Sequence, residues 1–232
     1  MSLNAKLQIA IDGPAASGKT TVARSTALRL HVLYLDTGAM YRALAYLALH
    51  TRTDVDNAAA LTRLAEREPI EVVLDESAPL GFRLFAGGHE LGEAALHGNE
   101  VTAIVSVVAA HAAVRAVMVR AQRRVAQEGP VVMVGRDIGS VVLPNAPVKI
   151  YLTASLQARI ARRRAQLAQA GIEVDEHRLA EEIAERDRLD RTRAISPLAP
   201  APDAHMIDSS EIGPEQVVDE ICAIVARSQA AG

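Results

Sequence analysis

Short apolar runs and longer amphipathic stretches alternate along most of this chain. Leu7–Ile11, Val32–Leu35, Val131–Val134, Val148–Leu152 and His205–Ile207 are brief and largely apolar. Runs of that kind, apolar on both faces, fit strands of a parallel sheet covered by helices. Helical periodicity falls between them, at Lys19–Leu30, Gly38–His50, Ala58–Glu66, Glu100–Gln127, Ser155–Ala170, Asp175–Asp187 and Pro214–Ala226. The last begins at Gly213-Pro214, a proline suited to a first helical turn. The alternation predicts an α/β fold, a doubly wound parallel five-stranded sheet. One segment departs from it: Ile70–Leu74, Phe82–Phe85 and Glu90–Leu91 form a small antiparallel β insert, here bounded as 68–98. No internal repeat is visible, so residues 1–232 read as one domain. Within Glu100–Gln127, Val101, Val105, Val108, Ala112 and Val119 make one apolar stripe. Ala109-Ala110-His111-Ala112-Ala113 holds no helix breaker, so this helix is expected to run unbroken.

Composition narrows the function classes. Half of the 232 residues are hydrophobic and 23% are charged, which excludes a disordered chain and allows a substantial core. A net charge of −3 argues against a general nucleic-acid binder. No apolar run approaches the roughly 18 residues of a membrane span, and the N-terminus shows no signal-peptide pattern. The expectation is a soluble cytoplasmic protein with neither nucleic-acid nor membrane partners. The single Cys222 lies in an apolar helical stripe and reads as core filling. The seven histidines show no metal-ligand spacing, so a metal held by protein alone is not expected. Of 25 cationic residues, only Lys6, Lys19 and Lys149 are lysines. Arginine suits bidentate contact with phosphate, although base composition can produce the same bias. Functional arginines in a slightly acidic protein must be concentrated in a site.

Gly13-Pro14-Ala15-Ala16-Ser17-Gly18-Lys19-Thr20 matches the phosphate-loop pattern G-x-x-x-x-G-K-[ST]. It follows an apolar strand and opens a helix, as phosphate binding by backbone N–H groups at a helix N-terminus requires. Lys19 is expected to reach the β- and γ-phosphates of ATP, and the Thr20 hydroxyl to help hold Mg²⁺. A nucleotide switch would show a metal-binding Asp ending an apolar strand; Val131–Val134 instead runs into Gly135-Arg136-Asp137. Downstream arginines are abundant, at 159, 162, 163, 164, 186, 188, 191 and 193. Phosphoryl transfer needs charge neutralisation and in-line positioning, so the set fits a kinase of a small phosphorylated acceptor. Arg164, Arg188 and Arg191 read as solvated helix-face residues. Other readings stay open here: a P-loop kinase of UMP, AMP or a metabolite, or an ATP-binding regulatory module.

Four blocks then carry a family resemblance. They are Asp12-Gly13-Pro14 through Thr21, Asp36-Thr37-Gly38-Ala39-Met40-Tyr41-Arg42, Gly135-Arg136-Asp137-Ile138-Gly139, and Arg186-Asp187-x-x-Asp190-Arg191-x-Arg193. In order and spacing they resemble the bacterial cytidylate kinases, over nearly the whole chain. The resemblance implies a P-loop kinase fold and transfer of the γ-phosphate of ATP to CMP or dCMP, with Mg²⁺. It implies that 68–98 is a monophosphate-binding subdomain, that 158–190 is an Arg-rich helical lid, and that the protein is a monomer. By the same analogy, ATP meets Gly13, Pro14, Ala15, Ala16, Ser17, Gly18, Lys19, Thr20 and Thr21, with Arg159 and Arg163 from the lid. Arg42, Arg136 and Arg193 hold the acceptor phosphate beside Thr37. Ser106, Arg115 and Asp137 face the base, and Arg186 and Asp190 reach the sugar. Lys19, Arg136 and Arg193 are the residues expected to act on the transferring group.

The base assignment agrees with chemistry. Cytosine has an N4 amino donor beside N3 and O2 acceptors, matching a carboxylate next to a guanidinium. Uracil turns its O4 toward the carboxylate and is expected to be rejected. Ser106 and Arg115 lie nine residues apart, nearly opposite on a straight helix, so their pairing rests on the resemblance alone. The chain departs from the family pattern at Val134 and at His97-Gly98-Asn99.

Overall fold

The protein is described by a computed structural model covering residues 7–75, 77–78, 81–169, 171–193 and 195–230. In chain order its elements begin β1 (Gln8–Asp12), α1 (Lys19–Leu30), β2 (Leu33–Asp36), α2 (Thr37–His50) and α3 (Ala58–Arg67). The insert follows as β3 (Glu71–Leu74), β4 (Phe82–Ala86) and β5 (His89–Glu90), then α4 (Glu93–His97), α5 (Asn99–Ala110) and α6 (Ala112–Val125). The chain continues through β6 (Val131–Gly135), a π-helical turn at Ile138–Val142, β7 (Val148–Thr153) and α7 (Leu156–Gln169). It ends with α8 (Glu176–Thr192), β8 (His205–Asp208) and α9 (Pro214–Ala230).

Five strands form a parallel sheet in the order β2-β6-β1-β7-β8. The central strand β1 is apolar on both faces because helices cover both, and Ile9, Ala10 and Ile11 are fully buried. Each strand runs one residue past its apolar run, ending at Asp12, Asp36, Gly135, Thr153 and Asp208. The backbone ladder continues where side-chain hydrophobicity stops. Register places Asp12 beside Gly135 and Tyr151, and Asp36 beside Val134. Four of these strand ends therefore meet at the carboxyl edge, where open α/β sheets bind ligands.

The inserted strands pair antiparallel, in the order β3-β4-β5, with Gly87 and Gly88 at positive φ in the hairpin. Phe82, Leu84 and Ala86 join the main hydrophobic core, and the Phe82 ring meets Tyr34 at 6.1 Å between centroids. The insert therefore shares its core with the sheet domain. The short helix α4 has no counterpart in the sequence reading.

The expected single helix over Glu100–Gln127 is two helices meeting at 97°. His111 at the corner is extended (φ −72°, ψ 119°). Its ring Nε2 donates to the Val55 carbonyl at 2.7 Å, and Arg115 Nη1 donates to the Ala109 carbonyl at 3.2 Å, one of those α5 leaves open. Tertiary hydrogen bonds thus break a helix whose local propensity favours continuity. Among the described residues no single helix is long and apolar enough to cross a membrane, and α5 with α6 meets that composition only across the bend.

The two helices of the 158–190 segment lie against each other. Ser155 Oγ accepts from the Ala158 N–H before α7, and Asp175 caps α8 through the Arg178 N–H. Helix α8 runs to Thr192, past the expected end at Asp187; Ala170, the expected end of α7, lies outside the described residues. Cys222 is partly buried against the core.

Candidate active site

Gly13 to Lys19 link β1 to α1 in a loop that only glycine permits at its ends. A Cβ at Gly13 would fall 2.0 Å from the Leu152 carbonyl oxygen, and Gly18 enters α1 at φ +89°. Lys19 is 6% exposed, with Nζ donating to the Pro14 carbonyl at 2.5 Å and to Ser17 Oγ at 3.3 Å. Burial, then the nearby Arg136 charge, holds its amine well below the ordinary lysine range. The neighbouring positive charge favours an anion here, and a polyphosphate would restore the charged form of the amine.

Two neighbours complete the loop. Thr20 is exposed, and its hydroxyl donates to Asp36 Oδ2 at 3.2 Å. Asp36 ends β2 and caps α2, accepting from the Gly38 N–H at 2.9 Å. Behind the loop, Asp187 of α8 accepts from the Ala15 N–H at 3.2 Å and from Arg159 Nη1 at 2.5 Å. Arg159 also donates to the Ala15 and Ala154 carbonyls, which leaves it buried under the loop. Arg162 donates to the Ser17 carbonyl and to Ser209. Arg163 bonds Gln166, while its charge acts on Arg42 and Arg186.

A second group of polar side chains lies across the cleft. Thr37 donates to the Val134 carbonyl at 2.9 Å, and Arg42 to the Leu96 carbonyl and Thr102 Oγ1. Arg136 Nε donates to Asp190 Oδ2 at 2.8 Å. Arg193 Nη1 lies 3.8 Å from Asp190 Oδ1, and its Nη2 lies 3.9 Å from Asp137 Oδ1. Arg115 pairs directly with Asp137, and both side chains are buried. Asp190 sits below the ordinary carboxylate range: burial would raise it, but Arg136, Arg186 and Arg193 outweigh that. Arg186 is lowered as well, to about 10, through burial and the charge of Arg136. Gly135 belongs here for packing, since a Cβ would come within 2.7 Å of Thr37 Oγ1 and the Ile138 side chain.

The bend at His111 brings Arg115 toward the side of Ser106, which a straight helix would not. Arg115 folds back across the corner to the Ala109 carbonyl, within one turn of the partly exposed Ser106. Its guanidinium also lies 5.4 Å from the Tyr41 ring centroid. Buried Arg115 Nε and Arg193 Nη2 have no hydrogen-bond partner among the described residues. Unpaired buried donors are costly, and a polar ligand would satisfy them.

The structure thus assembles nearly all the expected residues along one cleft. Arg164 and Arg188 lie outside it in exposed pairs with Glu176 and Glu185. Asp12, Asp36, Arg162, Asp187 and Ser209 are polar neighbours to which the sequence reading gave no individual role. Asp36 carried one signal, an Asp at a strand end immediately before a helical pattern.

A family model described as cytidylate kinase matches residues 9–227. The cytidylate kinase of Anoxybacillus flavithermus (strain DSM 21510 / WK1) is 48% identical over 220 residues, covering 95% of this chain and 96% of that protein. That of Pelotomaculum thermopropionicum (strain DSM 13744 / JCM 10971 / SI) is 47% identical over 224 residues, covering 97% and 98%. The crystal structure of an uncharacterized protein from Eubacterium ventriosum ATCC 27560 shares the fold at a TM-score of 0.51 and 14% identity, over 95% of this chain and 98% of that one. With its four sequence blocks brought to one cleft and its family match running almost end to end, this chain belongs to the cytidylate kinase family.

Proposed function

We infer that the protein transfers the γ-phosphate of ATP to CMP or dCMP, giving ADP and CDP or dCDP. The carrying observation is the buried Arg115–Asp137 pair. The pair sets a donor and an acceptor side by side, as cytosine's edge requires: Asp137 accepts from N4, and Arg115 donates to N3 and O2. Uracil would face Asp137 with O4 and leave the carboxylate unpaired, a mismatch that buried polar sites reject strongly. Arg42, Arg136 and Arg193 are the cations for the acceptor phosphate; Arg186 and Asp190 serve the sugar. Lys19 and the loop N–H groups take the donor phosphates, and Arg136 and Arg193 neutralise charge on the transferring group. Arg159 acts on ATP through the loop it braces, and Arg163 from the cleft side of the lid.

Mg²⁺ fits the same loop. Thr20 Oγ1 and Asp36 Oδ2 are hard oxygen donors 3.2 Å apart, as this ion prefers. Among the described residues no cluster of three His, Cys, Asp or Glu could hold a metal alone, so Thr20 and Asp36 would hold the ion together with the bound nucleotide. When bound, the ion neutralises charge between the β- and γ-phosphates. The segment 68–98 acts as the acceptor-side subdomain and 158–190 as the lid, in a monomeric cytoplasmic enzyme.

A coupled ADP-release assay over an acceptor panel tests this reading. Turnover is expected with CMP and dCMP, and far less with UMP or AMP. ATP hydrolysis indifferent to every nucleoside monophosphate would sink it.

A further inference from the structure

Asp12 ends β1 and immediately precedes Gly13, yet its carboxylate serves the other side of the cleft. Oδ1 accepts from the Ile138 N–H and Oδ2 from the Gly139 N–H, each at 2.8 Å. These amides open the π-helical turn that follows Arg136 and Asp137, and Asp137 makes no side-chain cap to it. Asp12 is 3% exposed, and a buried carboxylate is costly even when hydrogen-bonded. Its surroundings do little to offset that. Asp137 faces it from the turn with like charge, and Lys19 faces it from α1 with opposite charge. From β7, Tyr151 is within its electrostatic reach, and the aliphatic stem of Lys149 packs at Gly139, 3.2 Å from where a Cβ would stand. Burial is the largest influence and pushes the carboxyl up to about 6, against the two amides. An apolar residue would fill the position without that cost, so what the carboxylate holds is the reason for its presence.

We propose that Asp12 is a positioning residue for phosphoryl transfer: by clamping the Ile138 and Gly139 amides, it fixes acceptor-side Arg136 and Asp137 relative to the donor phosphate loop. The register Asp12↔Gly135 brings the two loops side by side, and the carboxylate locks them at that spacing. In-line transfer is sensitive to displacements of about 1 Å, so a clamp between the two substrate loops acts directly on rate. The role of Arg136 and Asp137 rests on the acceptor reading given above.

Asp12→Asn tests it, because an amide offers one acceptor and turns an NH₂ toward the other N–H. kcat/KM for the acceptor that turns over in the panel is expected to fall at least tenfold. The Kd for ATP, measured by calorimetry without acceptor, is expected to stay within about twofold. A purely structural residue would weaken both ligands together, so equal losses, or unchanged turnover, overturn the proposal. Should Asp12→Asn not fold, the wild type carries the test by NMR. The amide protons of Ile138 and Gly139 should titrate together near pH 6 in the ligand-free enzyme; amides that stay fixed, or move independently, overturn it. The NMR readout needs no acceptor, so failure of CMP to turn over would strike the functional reading and not this one.

Discussion

Asp137 and Arg115 show how much a single pair can decide. Side-chain exposures of 4% and 7% mean that either group, left alone, is a buried charge without a counter-ion. Asp137→Asn is therefore expected to cut kcat/KM for CMP by roughly 100-fold or more. Arg164→Ala, at an exposed pair with Glu176, should stay within about twofold of wild type. Steady-state kinetics on both variants check the contrast, and equal small losses would remove Asp137 from the base site. Asp12 carries the opposite signature in stability. Its carboxyl is raised to about 6, so its favourable contribution is present below the ordinary carboxylate range and lost as pH rises through 6. Relative to Asp12→Asn, the wild type should gain about 1–3 kcal/mol in urea unfolding as pH falls from 7.5 toward 4. A difference that shrinks on acidification would contradict this. Lys19 could be singled out because the phosphate-loop spacing names a chemistry, whereas Arg42 and Arg193 were expected through the family resemblance alone. Asp12 and Asp187 were not legible, since their partners lie 126 and 172 residues away across the sheet edge.

At the scale of elements, the strands were legible and the corner between α5 and α6 was not. Fully buried parallel strands leave continuous apolar runs, a signal that survives without any knowledge of partners. The corner leaves none, because Ala109 to Ala113 apart from His111 are alanines, the best helix formers. What breaks the helix is one ring bond to Val55, 56 residues distant, and one guanidinium reaching back to Ala109. His111→Ala removes the first and offers the chain a better helix former. The expected result is a loss of about 1 kcal/mol in stability and a larger proportional loss in kcat/KM for CMP than in ATP affinity. Chemical denaturation and ATP calorimetry separate the two. A variant with wild-type CMP kinetics would show that the bend does not depend on His111. The start of α7 and the end of α8 differ from the reading more mildly, by one residue at α7 and by the extra turn to Thr192 at α8.

Over the whole molecule, the arginine excess of a chain with net charge −3 resolves into a geography. Arg42, Arg136, Arg163 and Arg186 act on one another across the cleft, and Arg136 further depresses Lys19. Their mutual repulsion is what two phosphorylated ligands would relieve together. Elsewhere arginines make exposed clamps, such as Arg29 with Glu215 and Asp219 between α1 and α9. The strand order has a temporal meaning as well. β1 and β2 both pair with β6, and β1 also with β7, so neither early strand has a sheet partner until residue 131 onward has been made. With synthesis at about 5–20 residues per second, the central strand waits on the order of several seconds on the ribosome with its apolar Ile9, Ala10 and Ile11 unpaired. The phosphate loop is thus made long before the strand that carries it can pair.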